Sequence, residues 1–140
     1  MNPPVFTTEM QVRDYELDMQ GVVNNAVYQN YLEHARHLYL KACGLDFAEC
    51  TRQGINLVVT RLEIDFLASL RSGDSFRVSV AASRVSRVRF GFHQEIIRLP
   101  DGKPVVRALV VGTALDPAGR PHYWEGLDPL IAPTALPGPG

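Results

Sequence analysis

Asp18 is the residue on which chemistry can be built. It stands in Asp18-Met19-Gln20-Gly21-Val22-Val23-Asn24-Asn25, directly ahead of a segment with helical periodicity. A carboxylate can take a proton from water or attack a carbonyl itself. The first N–H groups of a helix have no partner within it, so they favour a nearby negative charge and can hold a developing oxyanion. One short stretch can therefore supply both halves of a carbonyl-attacking site. Asn24 or Asn25 suits the N-cap, because its side-chain oxygen can accept one of those N–H groups. Gly21 is expected to take a backbone angle closed to other residues and so to aim the loop. The alternative is plain: Asp is common in turns, and a loop Gly can be merely flexible.

Other residues compete for a role. Glu33 lies on the polar side of the helix beside Arg36 and His37, where ion pairing at a subunit interface is one use for it. His34 and His37 are three residues apart and can reach one ion, but no third ligand has motif spacing, so no metal is expected. Thr60, on a strand, is placed to reach the site and hold a water. Arg84, Arg87 and Arg89 cluster in a turn between two strands. They suit phosphates or an acidic partner as substrate-binding residues, or form an ordinary solvated turn.

The elements that must position these residues are legible. Tyr28, Tyr31, Leu32, Ala35, Leu38, Tyr39 and Ala42 recur at the 3.6-residue period, predicting a helix over 26–43 that stops at Gly44. Thr7 to Leu17 reads as a strand with Met10, Val12, Tyr15 and Leu17 facing inward, and Asp46 to Gln53 as a helical turn ended by Gly54. Four more strands follow. Leu62, Ile64 and Phe66 alternate in Asn56–Leu67. Phe76, Val78, Val80 and Ala82 alternate in Ser75–Val85. Phe90, Phe92 and Ile96 share a face in Arg89–Leu99. Val105–Leu115 is the most apolar and is expected to be central. Ser72-Gly73-Asp74 and Pro100-Asp101-Gly102-Lys103 are turns. One helix cannot cover both faces of a sheet, so an α+β fold is expected: a long helix wrapped by a curved five-stranded antiparallel sheet. Residues 1–131 form one domain in this reading, with Met1–Pro4 loose, Tyr123, Trp124 and Leu127 docked on the body, and 132–140 a flexible tail.

Composition narrows the classes. At 140 residues and 46% hydrophobic, the chain can bury a real core. A net charge of −1 gives no reason to expect nucleic-acid binding. The two cysteines, Cys43 and Cys50, make no disulfide framework and read as reduced thiols of a cytoplasmic protein. No basic-then-apolar leader and no membrane span are visible.

The pattern Asp18-x-x-Gly21-Val22-Val23, then Tyr28-x-x-Tyr31-Leu32-Glu33-x-Ala35-Arg36, resembles the hotdog-fold acyl thioesterases of the 4-hydroxybenzoyl-CoA thioesterase type. The run from Val12 to Asp18 and on through Tyr28 is most similar to the branch containing plant acyl-lipid thioesterases. The likeness spans roughly residues 8 to 116. It implies hydrolysis of an acyl thioester of CoA or an acyl-carrier protein, with a fatty, β-keto or polyketide-type chain favoured and no cofactor. It implies that Asp18 acts as nucleophile or general base and the Asn25 backbone N–H as oxyanion donor. Many relatives carry an aromatic or His side chain where this chain has Asn24-Asn25, so only the backbone role carries over. In another hotdog subgroup a helix carboxylate is catalytic, which makes Glu33 the rival of Asp18. Gly21, Val22, Val23, Asn24 and Tyr28 are expected at the substrate, and Phe66, Phe90 and Phe92 are candidates for an acyl slot. The resemblance also implies a homodimer or homotetramer with sites at the subunit interface. The competing classes are a noncatalytic acyl-binding or oligomeric module, an aromatic acyl-CoA thioesterase, and a dehydratase, for which His93 lacks a surrounding motif.

Overall fold

A computed structural model describes residues 5–45 and 47–131. β1 is Phe6–Gln11, α1 Asn25–Ala42, α2 Phe47–Arg52, β2 Asn56–Phe66, β3 Ser75–Arg84, β4 Arg89–Leu99, β5 Pro104–Leu115, β6 Pro121–His122 and α3 Asp128–Ile131. The strands form one antiparallel sheet in the order β1-β3-β4-β5-β2, with β6 on the end of β5. The α+β expectation holds, with six strands in place of five. The two-residue β6 was missed because Pro121-His122 is too short for alternation to register. β5 is an interior strand, but the middle of the path belongs to β4.

α1 forms where its period places it, and Asn24 is the cap: its Oδ1 accepts from the Ala26 N–H at 2.9 Å. Its end is a Schellman turn. Gly44 takes φ +85°, its N–H bonds Lys41 O at 3.0 Å, and the Leu45 N–H reaches back to Leu40 O at 3.0 Å. Tyr28, Tyr31, Leu32, Ala35, Tyr39 and Leu40 are its buried face. They pack on the inward side chains of β3, β4 and β5, among them Phe76, Val78, Ile96 and Val106. Leu32 has no exposed surface; burying a side chain of that size contributes about 1.5–3 kcal/mol.

Two strand expectations fail. The first strand stops at Gln11. Glu16 Oε1 accepts the Arg13 N–H at 2.7 Å and closes a 3₁₀ turn over Asp14–Glu16, which leaves Tyr15 76% exposed where burial was expected. In β2, Leu62 and Phe66 are 41% and 45% exposed. β2 has only β5 beside it, so as an edge strand its alternation finds no cover on one side. The C-terminal segment docks as expected. Leu127 is buried, Tyr123 and Trp124 half-buried, and the Tyr39 hydroxyl donates to Leu130 O at 2.6 Å. The expectations for Met1–Pro4, Asp46 and 132–140 lie outside the described residues. Among those described, no helix is long and apolar enough to cross a membrane.

Candidate active site

The Asp18 loop is a small hairpin. Leu17 bridges to Val23, the Asp18 N–H donates to Val22 O at 2.8 Å, and the Gly21 N–H donates to Asp18 O at 3.1 Å. Gly21 closes it at φ +79°, with open space where a Cβ would stand; the demand there is conformational, not steric. The Asp18 carboxylate folds back over this turn, its Oδ1 accepting from Gln20 N at 2.8 Å and Val22 N at 3.4 Å. The side chain is exposed. Its backbone partners are thus those of its own turn, not the first turn of α1 that the sequence led one to expect. α1 begins seven residues on, and the N–H of its first residue, Asn25, has no hydrogen-bond partner among the described residues.

The loop is held from beneath. The Val23 N–H donates to Leu70 O at 2.9 Å, Val22 bridges to Arg71, and the Leu70 N–H donates to the Tyr28 hydroxyl at 2.9 Å. Val23 and Tyr28 are each 2% exposed, so in this chain they shape the loop from behind instead of lining it. Burial raises the Tyr28 phenol above its ordinary range, which keeps the ring neutral. A second brace stands beside the first. The Tyr31 hydroxyl donates to Glu16 Oε1 at 2.8 Å, and the Asn24 N–H donates to Glu16 O at 3.2 Å, fastening the 3₁₀ turn to α1. The Arg13-to-Glu16 spacing was the available signal. Burial, then Glu16, push the Tyr31 phenol upward as well.

Glu33 belongs to a different place. Eight residues along α1 from Asn25, about 12 Å by helix rise, it pairs at 3.8 Å with His37 Nε2 and is exposed. Both stand at the mouth of a pocket of about 270 Å³ between α1 and β2, β4 and β5. Its walls include Leu40, Leu57, Phe90, Phe92 and Val110. Phe66, the third aromatic considered for an acyl slot, instead sits 5.9 Å from Tyr28 near the loop. Arg36 also reaches the pocket. Its Nη1 donates to Gln94 Oε1 at 3.1 Å, while Gln94 Nε2 donates to Leu32 O at 3.0 Å. Burial lowers the Arg36 guanidinium pKa, and Glu33 partly offsets this. Gln94 is 2% exposed. The Phe90-Phe92-Gln94-Ile96 alternation points it inward. A hollow of about 390 Å³ on the outer face of the sheet is lined by Glu63, Asp65, Glu95 and Arg107, charges ill suited to an acyl chain.

The remaining candidates are remote from Asp18 within one chain. Thr60 sits at a register shift in β2 and donates to Val111 O at 3.3 Å. It lies six residues from Phe66, roughly 20 Å along a strand. Arg84 closes its own hairpin, donating to Ser86 O at 3.2 Å and Arg87 O at 2.7 Å, and stacks on the Tyr123 ring at 4.0 Å. Arg87 and Arg89 are exposed at the same hairpin. That hairpin and Arg98, which reaches Ser69 O at 3.5 Å beside the loop's anchor, stand at opposite ends of β4, roughly 30 Å apart. His34 and His37 acquire no third ligand; among the described residues no group of three His, Cys, Asp or Glu is gathered for a metal.

Residues 12–137 match the family model of the Thioesterase-like superfamily, and the chain belongs to that family. It is 46% identical over 113 residues to the chloroplastic acyl-acyl carrier protein thioesterase ATL2 of Arabidopsis thaliana, a match covering 81% of this chain and 60% of that one. The chain thus spans about 60% of the length of the plant relatives it matches. It is 29% identical over 110 residues to the long-chain acyl-CoA thioesterase FadM of Escherichia coli, covering 78% of this chain and 82% of that one. The crystal structure of a 1,4-dihydroxy-2-naphthoyl-CoA thioesterase from Synechocystis shares its fold, with a TM-score of 0.87 at 22% identity, covering 96% of this chain and all of that one.

Proposed function

We propose that this protein hydrolyses an acyl thioester carried by CoA or an acyl-carrier protein to the free acid. The observation that carries the reading is the braced loop that sets an exposed Asp18 carboxylate ahead of an α1 start whose Asn25 N–H is unspent. Asp18 takes a proton from water as the water oxygen bonds the carbonyl carbon. The carbonyl oxygen becomes an oxyanion and is held by the Asn25 N–H. The C=O bond re-forms, the C–S bond breaks, and the thiolate leaves and takes up the proton. In the variant route Asp18 itself bonds the carbonyl carbon, expels the thiolate, and water hydrolyses the resulting anhydride. Neither route draws on a metal or redox cofactor. The plant relatives' names favour a carrier-protein thioester and that of FadM a CoA thioester, and the Asp-to-helix likeness favours a fatty, β-keto or polyketide-type chain. The place of work in this reading is the cytoplasm.

The site is completed by a second copy. In one chain the Asp18 loop is anchored to Leu70, and Tyr28 behind it meets Phe66, while the apolar pocket opens at the other end of β2. The free edge of β2 carries the exposed side chains Val59, Leu62 and Phe66. Antiparallel pairing of two such edges about their middle would set the Phe66 end of one copy, with its α1 start, beside the Leu57–Val59 pocket of the other. Thr60 and the Arg87–Arg89 hairpin would approach from that second copy. A homodimer, or a tetramer of two, follows. One observation favours a second reading: Glu33, not Asp18, is the carboxylate at the pocket mouth within a chain. Turnover of acyl-CoA and acyl-carrier thioesters by the wild type, Asp18→Asn and Glu33→Gln tests both. No hydrolysis of any thioester by the wild type would leave a binding module as the answer.

A further inference from the structure

The pocket between α1 and the sheet has a mouth and a floor. Glu33, His37 and Val59 at its rim are exposed, whereas Phe92, Val110 and Leu127 are buried within. Every lining residue but one comes from α1, β2, β4 or β5. The exception is Leu127, 2% exposed, from the short 3₁₀ turn Glu125–Leu127 that follows the last strand. That segment is pinned from several sides. The Tyr39 hydroxyl donates to Leu130 O at 2.6 Å, the Tyr123 ring lies 4.0 Å from the Arg84 guanidinium, and the Tyr123 hydroxyl bonds the Asp128 carboxylate. Leu127 is therefore a firm wall, yet no part of the helix–sheet frame.

We propose that Leu127 is the stop that sets how long an acyl chain the pocket accepts. This rests on the reading above, in which the occupant is the acyl group of the thioester. The pocket suits that occupant: its walls are mainly apolar, and polar groups gather near its mouth. Its volume of about 270 Å³ is at the small end for ligand sites, and Glu33 and Leu40 stand about 10 Å apart along the helix. A chain entering at Glu33 runs inward and its methyl end meets a floor of which Leu127 is the one part contributed by the C-terminal segment. Changing Leu127 changes the depth without touching Asp18, Asn25 or the loop.

The test is kcat/KM over a homologous series of straight-chain acyl-CoA thioesters, measured on the full chain. Leu127→Ala and the milder Leu127→Val should move the optimum to longer chains, and Leu127→Phe to shorter ones. Each methylene gained or lost in the slot should change kcat/KM by about fourfold. Ratios between substrates cancel any loss of folded enzyme, and Leu127→Val keeps the test open should Leu127→Ala fail to fold. Leu57→Trp, which fills the same pocket from β2, is the control. If it shifts the optimum while the three Leu127 variants do not, Leu127 is not the stop and the proposal falls alone. If none of the four shifts it, the pocket does not hold the acyl chain, and the reading beneath the proposal falls with it.

Discussion

Two carboxylates stand at the two ends of one question. Asp18 is fixed by backbone hydrogen bonds in a turn and backed by Tyr28, Tyr31 and Glu16, but it does not line the apolar slot. Glu33 is at the mouth of a slot, but on an open helix face, paired with His37 at 3.8 Å and within electrostatic reach of Arg36. Catalysis demands a held geometry more than a convenient address, because a displaced group loses most of its effect. The bracing of Asp18 is the kind of support a reacting group needs. Glu33 has the placement of a group that tunes the rim or meets a neighbouring chain.

The largest expected effect breaks that comparison one way or the other. Asp18→Asn keeps the shape and the Oδ1 acceptor but removes charge and basicity, so kcat should drop at least ~100-fold with little change in thermal unfolding. Glu33→Gln should leave most of kcat and act more on assembly. Near-normal turnover in Asp18→Asn, with none in an intact Glu33→Gln oligomer, would reverse the assignment.

Next in size is the edge of β2. Leu62→Lys puts a charge on the exposed strand that two copies are proposed to share. Light scattering should show the species shift to monomer, and kcat/KM should fall by roughly tenfold or more as each pocket loses its Asp18. A monomer with full activity would mean that one chain holds a complete site. A smaller effect comes from the brace. Tyr31→Phe removes the hydroxyl donated to Glu16, a bond to a charged acceptor worth about 1.5–3 kcal/mol. Midpoint denaturant should fall accordingly, and kcat should fall only severalfold, since Asp18 itself is untouched.

What the sequence allowed follows from which forces are local. α1 was readable because its period, its Asn24 cap and its Gly44 stop all lie within one stretch of chain. Gly21 was readable because a tight hairpin demands its positive φ. β3 was readable because α1 and α3 pack against it, so alternation and burial coincide. β2 misled for the opposite reason: Leu62 and Phe66 alternate as core residues do, but an edge strand's cover has to come from elsewhere. Tyr15 misled because the Glu16 carboxylate accepts the Arg13 N–H and turns the chain before the strand can continue. Asp18, Gly21, Asn24 and Asn25 could be grouped because they lie within one eight-residue stretch. Thr60 and the arginines were grouped with them by chemistry alone, and the fold of one chain sets them roughly 20–30 Å away. Leu127, which lines the pocket, and Gln94, which holds the Arg36 guanidinium beside it, carry no motif; only the packing of distant segments puts them there.

The smallest expected effect sharpens the comparison at the far end of the sheet. Arg84 and Arg87 share a hairpin but not a situation. Arg84 is committed to its own turn and to the Tyr123 ring, a cation–π contact worth about 0.5–1 kcal/mol when exposed. Arg87 is exposed and its carbonyl serves Arg84, which leaves its guanidinium for a partner in solution. If a second copy brings this hairpin to the substrate's phosphates, Arg87→Gln should raise KM by about two- to threefold at low salt and leave kcat alone. The difference should fade at high ionic strength, because an exposed pair is screened over about one Debye length. Arg84→Gln should instead lower the unfolding midpoint slightly and leave the salt dependence of KM unchanged. Equal KM effects from both, insensitive to salt, would make the hairpin a structural turn with no part in binding. In that case the second copy's contribution would narrow to the pocket itself.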